Sequence, residues 1–180
     1  MKPGDWFYEV VRYVYEHGLM KGIDDAMFCP GGFTTRGMVV TILWNLEGRP
    51  TTAGSTPFTD VPDDAYCVQV VKWASENSIV TGYENGEFRP SDPVKREQMA
   101  AILFNYAKLK GYDVSGYEDM NFSRFSDHTE LSAYALPAMQ WCAGSGVIAG
   151  KGSGVLDPEG NATRGQTAKM LYCFCENIAG

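Results

Sequence analysis

The sequence predicts an all-α protein made of three helix–loop–helix units that share one core. Three observations carry this: an internal repeat, helical spacing of apolar residues in both halves of each unit, and turn-forming residues between the halves.

The repeat decides the organisation of the chain. A shift of 60 residues places Trp6 on Tyr66, Tyr13 on Trp73, Gly22 on Gly82, Phe28 on Phe88, Pro30 on Pro90 and Arg36 on Arg96. A further shift of 68 residues places Tyr66 on Tyr134, Trp73 on Trp141, Gly82 on Gly150, Pro90 on Pro158 and Arg96 on Arg164. The register within each unit is unbroken. The extra eight residues of the second shift fall between copies, near 110–123, where Gly, Asp, Ser and Tyr give the composition of a linker.

The first half of each unit reads as a helix. Val10, Val11, Tyr13, Val14 and Leu19 keep helical spacing, as do Val70, Val71, Trp73, Ala74 and Ile79, and Ala138, Met139, Trp141, Cys142 and Val147. A glycine closes each first half: Gly22, Gly82 or Gly150. A turn-rich loop follows. Tyr83-Glu84-Asn85-Gly86-Glu87-Phe88 sets Asn-Gly between aromatics, which is a two-residue hairpin signal. The matching third-copy loop, 150–154, is looser.

The second half is also helical. Val39, Val40, Ile42, Leu43 and Leu46 align with Met99, Ala100, Ile102, Leu103 and Tyr106, and then with Thr167, Ala168, Met170, Leu171 and Phe174. One apolar stripe per helix requires one buried face per helix. A single helix pair is too small to supply that burial, so the units are expected to pack together. Thr35 and Thr163 stand ready to cap the second helix, and Thr163-Arg164-Gly165-Gln166 fits a capping box. In the middle copy Lys95 replaces the threonine, and Asp92-Pro93 upstream is the expected start instead.

Composition narrows the function. The 44% hydrophobic and 21% charged content belongs to a globular chain that can bury a core without metal or disulfide staples. A net charge of −7 and the absence of Lys- or Arg-rich tracts argue against nucleic acid. No run of apolar residues is long enough to span a membrane, and Met1-Lys2-Pro3-Gly4-Asp5-Trp6 is no signal peptide. An extracellular role would need an export signal that has been removed or lies on a longer parent chain. The five cysteines lack a Cys-x-x-Cys pair, so zinc is not indicated, and Cys67, Cys142 and Cys173 fall within apolar patterns as core thiols. No cofactor is called for.

Arg36, Arg96 and Arg164 occupy the first turn of each second helix. That end of a helix is partly positive, and a cation there is disfavoured by about 0.3–1 kcal/mol. Three causes are open: common ancestry of the copies, pairing with a carboxylate of a neighbouring copy, or an external anion held jointly by the guanidinium and the free N–H groups of the helix start. Tyr13, Trp73 and Trp141 sit mid-stripe and are expected in the core. Trp6, Tyr66 and Tyr134 open the first helices, where they could pack across units or stack on a sugar ring. Phe58 and Phe125 precede Asp60 and Asp127; each Phe is expected to plug the core and each Asp to bond nearby backbone or an Arg.

Phe58-Thr59-Asp60-Val61, Tyr66, Trp73-Ala74, Gly82, Phe88-Arg89-Pro90 and Lys95-Arg96-Glu97 together resemble the surface-layer homology (SLH) repeat, and three copies are usual in that family. The resemblance covers nearly the whole chain. It implies one domain over 1–180, with repeats at 1–50, 58–110 and 125–180, folded as a pseudo-three-fold spindle around a central helical bundle with short hairpin-like loops. It also implies a bacterial, secreted, cell-surface module without catalysis, which binds secondary cell-wall polysaccharide, often bearing a pyruvate ketal, in grooves between repeats. Carried over residue by residue, the ketal carboxylate would meet Arg36, Arg96 and Arg164. Asp60 and Asp127, the loop glycines Gly22, Gly82 and Gly150, and the aromatics Trp6, Tyr66 and Tyr134 would line the same grooves.

The chain departs from the Thr-Arg-Ala-Glu motif in every copy: Thr35-Arg36-Gly37-Met38, Lys95-Arg96-Glu97-Gln98 and Thr163-Arg164-Gly165-Gln166. The first copy has no Phe-x-Asp, as expected of a fragment that begins too late to include it. Unequal grooves follow as an expectation. The rival readings are weaker. The only histidines, His17 and His128, are not equivalent, and no nucleophile, zinc-protease or phosphate-loop motif occurs. The acidic turns Asp24-Asp25, Asp63-Asp64 and Glu84-Asn85-Gly86 do not follow a calcium loop. The sequons at Asn121 and Asn161 read as chance matches. A protein-binding or self-assembly module of a surface-layer-type protein is the alternative, since three-fold repeats also form grooves for peptides. Oligomeric state is not encoded in any motif.

Overall fold

A computed structural model describes residues 4–24, 26–53 and 55–179. The Met1-Lys2-Pro3 start and Asp25 of the Asp24-Asp25 turn lie outside the described residues. Six α-helices carry the fold: α1 Tyr8–Glu16, α2 Arg36–Leu46, α3 Val68–Glu76, α4 Arg96–Leu109, α5 Leu136–Gly144 and α6 Arg164–Phe174. Among the described residues there is no strand, only isolated bridges. The all-α, three-unit prediction is met, and no helix is long and apolar enough to cross a membrane.

The first helices end earlier than the motif glycines suggested. Gly18, Ser78 and Gly146, equivalent in register, adopt the left-handed conformation at φ 68°, 57° and 77°. The chain then turns back, with Leu19 N–H bonding Val14 O at 2.8 Å and Ile79 N–H bonding Ala74 O at 2.8 Å. This satisfies carbonyls left over at the helix end. Gly22, Gly82 and Gly150 lie four residues on, in the loop. Each loop is a hairpin-like turn closed by one bond: Ile23 N–H to Met27 O, Tyr83 N–H to Glu87 O and Lys151 N–H to Val155 O, all 2.8 Å.

The second helices start where the register placed them. Thr35 Oγ1 accepts the Met38 N–H, and Thr163 and Gln166 form the expected capping box. In the middle copy Asp92-Pro93 does not start the helix. Lys95 is the cap residue, and Gln98 Oε1 accepts its N–H at 3.1 Å, so half of the box survives without a cap hydroxyl.

The helices close into a ring. α3 packs on α2, α5 on α4, and α1 on α6, so each first helix lies on the second helix of the preceding copy and the first copy meets the third. At the axis, three fully buried residues join hands through their backbone. Thr34 N–H bonds Ala162 O at 3.0 Å, Ala162 N–H bonds Val94 O at 2.8 Å, and Val94 N–H bonds Thr34 O at 2.9 Å. The Thr34 and Thr167 hydroxyls add a buried hydrogen bond of 2.8 Å beside this ring. Around it lies one core in which Leu43, Phe88, Met99, Leu103, Trp141, Leu171 and Phe174 are fully enclosed. Trp73 and Trp141 are buried, as their mid-stripe positions predicted, whereas Tyr13 is only half-buried and packs against the edge of the core. Cys67, Cys142 and Cys173 are buried free thiols.

Candidate functional site

The motif arginines sit where consecutive repeats meet. Arg36, Arg96 and Arg164 are 6%, 3% and 7% exposed. Each reaches from its helix start into the loop of the next repeat. Arg36 Nε donates to Phe88 O at 2.8 Å, Arg96 Nε to Leu156 O at 3.1 Å, and Arg164 Nε to Phe28 O at 2.8 Å. Arg96 Nη2 also donates to Ala149 O at 2.7 Å, and Arg164 Nη2 to Lys21 O. Among the described residues none of the three joins an ion pair. The partners within the protein are therefore carbonyls of a neighbouring copy rather than its carboxylates. Burial pulls all three guanidinium pKa values below the usual range. Nearby carboxylates, Asp92 for Arg36 and Asp157 and Asp127 for Arg96, offset part of that cost without bonding the guanidinium directly.

The helix-start N–H groups are not free, which corrects the expectation that they would share an anion with the guanidinium. Arg36 N–H bonds Asp92 O and Gly37 N–H bonds Pro90 O. Arg96 N–H bonds Gly160 O, Glu97 N–H bonds Pro158 O, Arg164 N–H bonds Gly32 O and Gly165 N–H bonds Pro30 O. The loop of one copy thus fills the positive end of the second helix of the preceding copy, and the first two N–H groups of each of these helices are taken.

Asp60 and Asp127 serve the loop. Asp60 accepts the N–H groups of Phe88 and Arg89 at 2.8 and 2.7 Å, and Asp127 those of Leu156 and Asp157 at 2.9 and 2.6 Å. Burial pushes the Asp127 carboxyl up, but the two N–H bonds and the charge of Arg96 outweigh it and hold the pKa below the ordinary value. The loop glycines make room. A Cβ on Gly82 (φ 72°) would stand 2.4 Å from Phe58 Cε1, and one on Gly150 2.7 Å from Phe125 Cε1. A Cβ on Gly22 would stand 2.3 Å from Asp24 O. Phe58 and Phe125 are buried beneath these loops, as expected of core plugs.

Trp6 and Tyr66 lie in the turn before their helix, and Tyr134 in a short 3-10 helix, Ala133–Ala135, that leads into α5; they are 64%, 81% and 60% exposed. Each borders a second-helix start of the preceding copy. A Cβ on Gly37 would lie 3.4 Å from the Tyr66 hydroxyl, and one on Gly165 3.5 Å from Trp6 Cη2. Tyr134 instead donates its hydroxyl to Glu97 Oε1 at 3.2 Å.

Among the described residues, open grooves with equivalent residues around them result, and two stand out. The larger, about 1030 Å³, is lined by Arg36, Gly82, Tyr83, Glu97, Gln98, Asn105 and Tyr134 among others. The smaller, about 430 Å³, is lined by Arg96, Gly150, Lys151, Gln166, Lys169 and Trp6. Each combines an arginine of one copy, a glycine loop and second helix of the next, and the exposed aromatic of the third. The structure thus brings the arginines Arg36 and Arg96, the glycines Gly82 and Gly150, and the aromatics Tyr134 and Trp6 to groove walls, while Asp60 and Asp127 bind the loop backbone beside them. Sequence reasoning missed Glu97, Tyr83 and Gln98. Glu97 is buried at 2% exposure and accepts Ser132 N–H, Ser132 Oγ–H and the Tyr134 hydroxyl. The available signal was the contrast between copies, since Gly37 and Gly165 occupy its register.

Comparison with known proteins agrees with this architecture. The S-layer homology domain profile matches residues 1–37, 57–100 and 124–168. The chain is 29% identical over 99% of its length to an endoglucanase of Bacillus sp. (strain KSM-635), covering 19% of that protein. It is 25% identical over 96% of its length to exoglucanase XynX of Acetivibrio thermocellus, covering 16% of it. A cellulosome-anchoring protein of the same species is 27% identical over 53% of the chain and covered to 23%. The chain thus spans less than a quarter of the length of each of these relatives.

Proposed function

The chain belongs to the S-layer homology domain family, and from that premise we propose that it holds its parent protein non-covalently on a cell-wall polysaccharide at the bacterial surface, without catalysis. The observation that carries this reading is a buried guanidinium without a carboxylate partner, set in an open groove beside an exposed aromatic. An acidic substituent on the polymer, such as a pyruvate ketal, meets the arginine. The sugar body lies against Tyr134 or Trp6, and its hydroxyls meet Gln98, Asn105 or Gln166. The relatives fit this division of labour. Two are named as glycan-degrading enzymes and one as an anchoring protein, and what they share with this chain is a small part of their length.

The test is sedimentation of the purified chain with cell-wall sacculi stripped of protein. Retention is expected on native sacculi and loss on sacculi whose pyruvyl groups have been removed by mild acid. Equal retention on both would overturn the anionic contact. Binding only to sacculi that still carry protein would favour the alternative, a protein-binding or self-assembly module.

A further inference from the structure

The second helix of the middle copy is longer than its counterparts. α4 has 14 residues where α2 and α6 have 11, and the added turn, 107–109, carries Lys108. The register puts Gly48 and Glu176 at that place in the other copies. The larger groove runs down this helix. Lys95, Gln98, Ala101, Asn105 and Lys108, spaced by three or four residues, line it along one face. Its facing wall is the stretch 79–83. Asn105 Nδ2 donates to Ile79 O at 3.2 Å at one end of that wall, and Gln98 Nε2 donates to the Tyr83 hydroxyl at 3.0 Å at the other. Arg36 enters beside Tyr83, 4.7 Å from the centre of its ring. From Gln98 to Lys108 the helix covers about 15 Å. The smaller groove follows α6 only as far as Lys169 and Met170, in register with Ala101 and Ile102. It stops about two turns short of the place that Lys108 holds.

We infer that Lys108 is a second anion contact, at the far end of the larger groove, and that this groove takes an acidic polysaccharide lengthwise along α4, over more than one sugar. Four cations line the groove: Arg36, Arg89, Lys95 and Lys108. Arg89 is paired with Glu87 and Lys95 with Glu159, both at 2.8 Å. Among the described residues Lys108 joins no ion pair. Its ammonium lies 4.6 Å from the ring centre of Phe104, another groove residue, which holds the charge on the groove side of the helix. Lys110, which does not line the groove, is instead paired with Glu47 at 3.0 Å. The helix dipole favours a cation in a last turn, and that accounts for both lysines alike. It does not account for the unpaired one being the one that faces the groove. The two ends of the groove are further apart than the screening length of about 8 Å in physiological salt, so one acidic group cannot serve both. Between them Ala101 and Phe104, with Pro137 and Ala138, give an apolar seat for sugar rings. This inference rests on the acidic-polysaccharide reading above and adds a second point of charge to it.

The experiment is calorimetric titration of the full chain with wall polymer freed from protein-stripped sacculi and sized into fragments shorter and longer than the groove. The long fragments are expected to bind more tightly than the short ones. Lys108→Gln should lower the affinity for long fragments by about two- to fivefold, the contribution of an exposed ion pair. Lys108→Glu should lower it further, and Lys108→Arg should keep it. All three variants should bind short fragments as the unmutated chain does. Lys110→Gln should leave both affinities unchanged, which separates a groove contact from a general effect of charge at the helix end. The unmutated chain supplies a second readout: long fragments should shift the side-chain NMR signals of Lys108, and short fragments should leave them in place. Unchanged affinity of Lys108→Glu for long fragments, or an equal loss on short and long fragments, overturns the second contact while leaving the polysaccharide reading intact. No binding of either fragment to the unmutated chain overturns both.

Discussion

Asp127 and Arg96 grip one residue from opposite sides. Asp127 Oδ1 accepts the Leu156 N–H at 2.9 Å, and Arg96 Nε donates to the Leu156 carbonyl at 3.1 Å. Asp60, Phe88 and Arg36 repeat the arrangement one copy earlier. The Phe-x-Asp motif and the helix-start arginine are thus two halves of one device, and the loop residue between them is what they share.

Asp127→Asn should destabilise the fold by about 1–3 kcal/mol at neutral pH, because an amide cannot accept both loop N–H groups. The pH dependence has a definite sign. The folded pKa of Asp127 lies below the ordinary carboxyl value of about 3.9, so its contribution is fully present above that value and fades as pH falls through the lower folded one. Urea denaturation of both proteins should give a constant difference above about pH 5 that shrinks below about pH 4. A difference that grows in acid would contradict this assignment.

Gly82→Ala should lower stability by about 2–4 kcal/mol, combining a left-handed backbone with overpacking against Phe58. Gly86→Ala is the control. Its φ is 78° but a Cβ there meets only Thr59 Cγ2 at 3.9 Å, so about 1 kcal/mol is expected. Denaturation midpoints separate the two, and Phe58→Leu should recover part of the Gly82→Ala loss.

Thr34→Val should cost about 1–3 kcal/mol by leaving the Thr167 hydroxyl buried and unpaired. The double variant Thr34→Val, Thr167→Val keeps the shape and removes both polar groups, and should recover most of that loss. A double-mutant cycle that shows simple additivity would sink the claim.

The chain cut after residue 123 should show no cooperative thermal transition, whereas the full chain shows one. Without α5 and α6, both α4 and α1 lose the helix they pack on. Calorimetry of the two proteins decides the matter.

Much of this was legible in the residues. The shifts of 60 and 68 set three copies, the apolar stripes set six helices, and Thr163 to Gln166 set a helix start that formed as read. The motif glycines misled about helix ends because Ser78 holds the left-handed position in the middle copy, where Gly18 and Gly146 would have been the signal. The arginines were legible as anomalous but not as clasps. Their acceptors are main-chain carbonyls, which every residue carries and no letter of the sequence distinguishes. The same is true of the Thr34, Val94 and Ala162 ring. What filled the positive helix ends was the backbone around Pro30, Pro90 and Pro158, conspicuous in the repeat as prolines yet silent about where their oxygens point.

Packing α1 against α6 gives folding a direction in time. Of the six helices, α1 is made first and has to wait for α6, the last, before its apolar face is covered. Contacts this distant along the chain form slowly, and until they do the open intermediate exposes sticky surface.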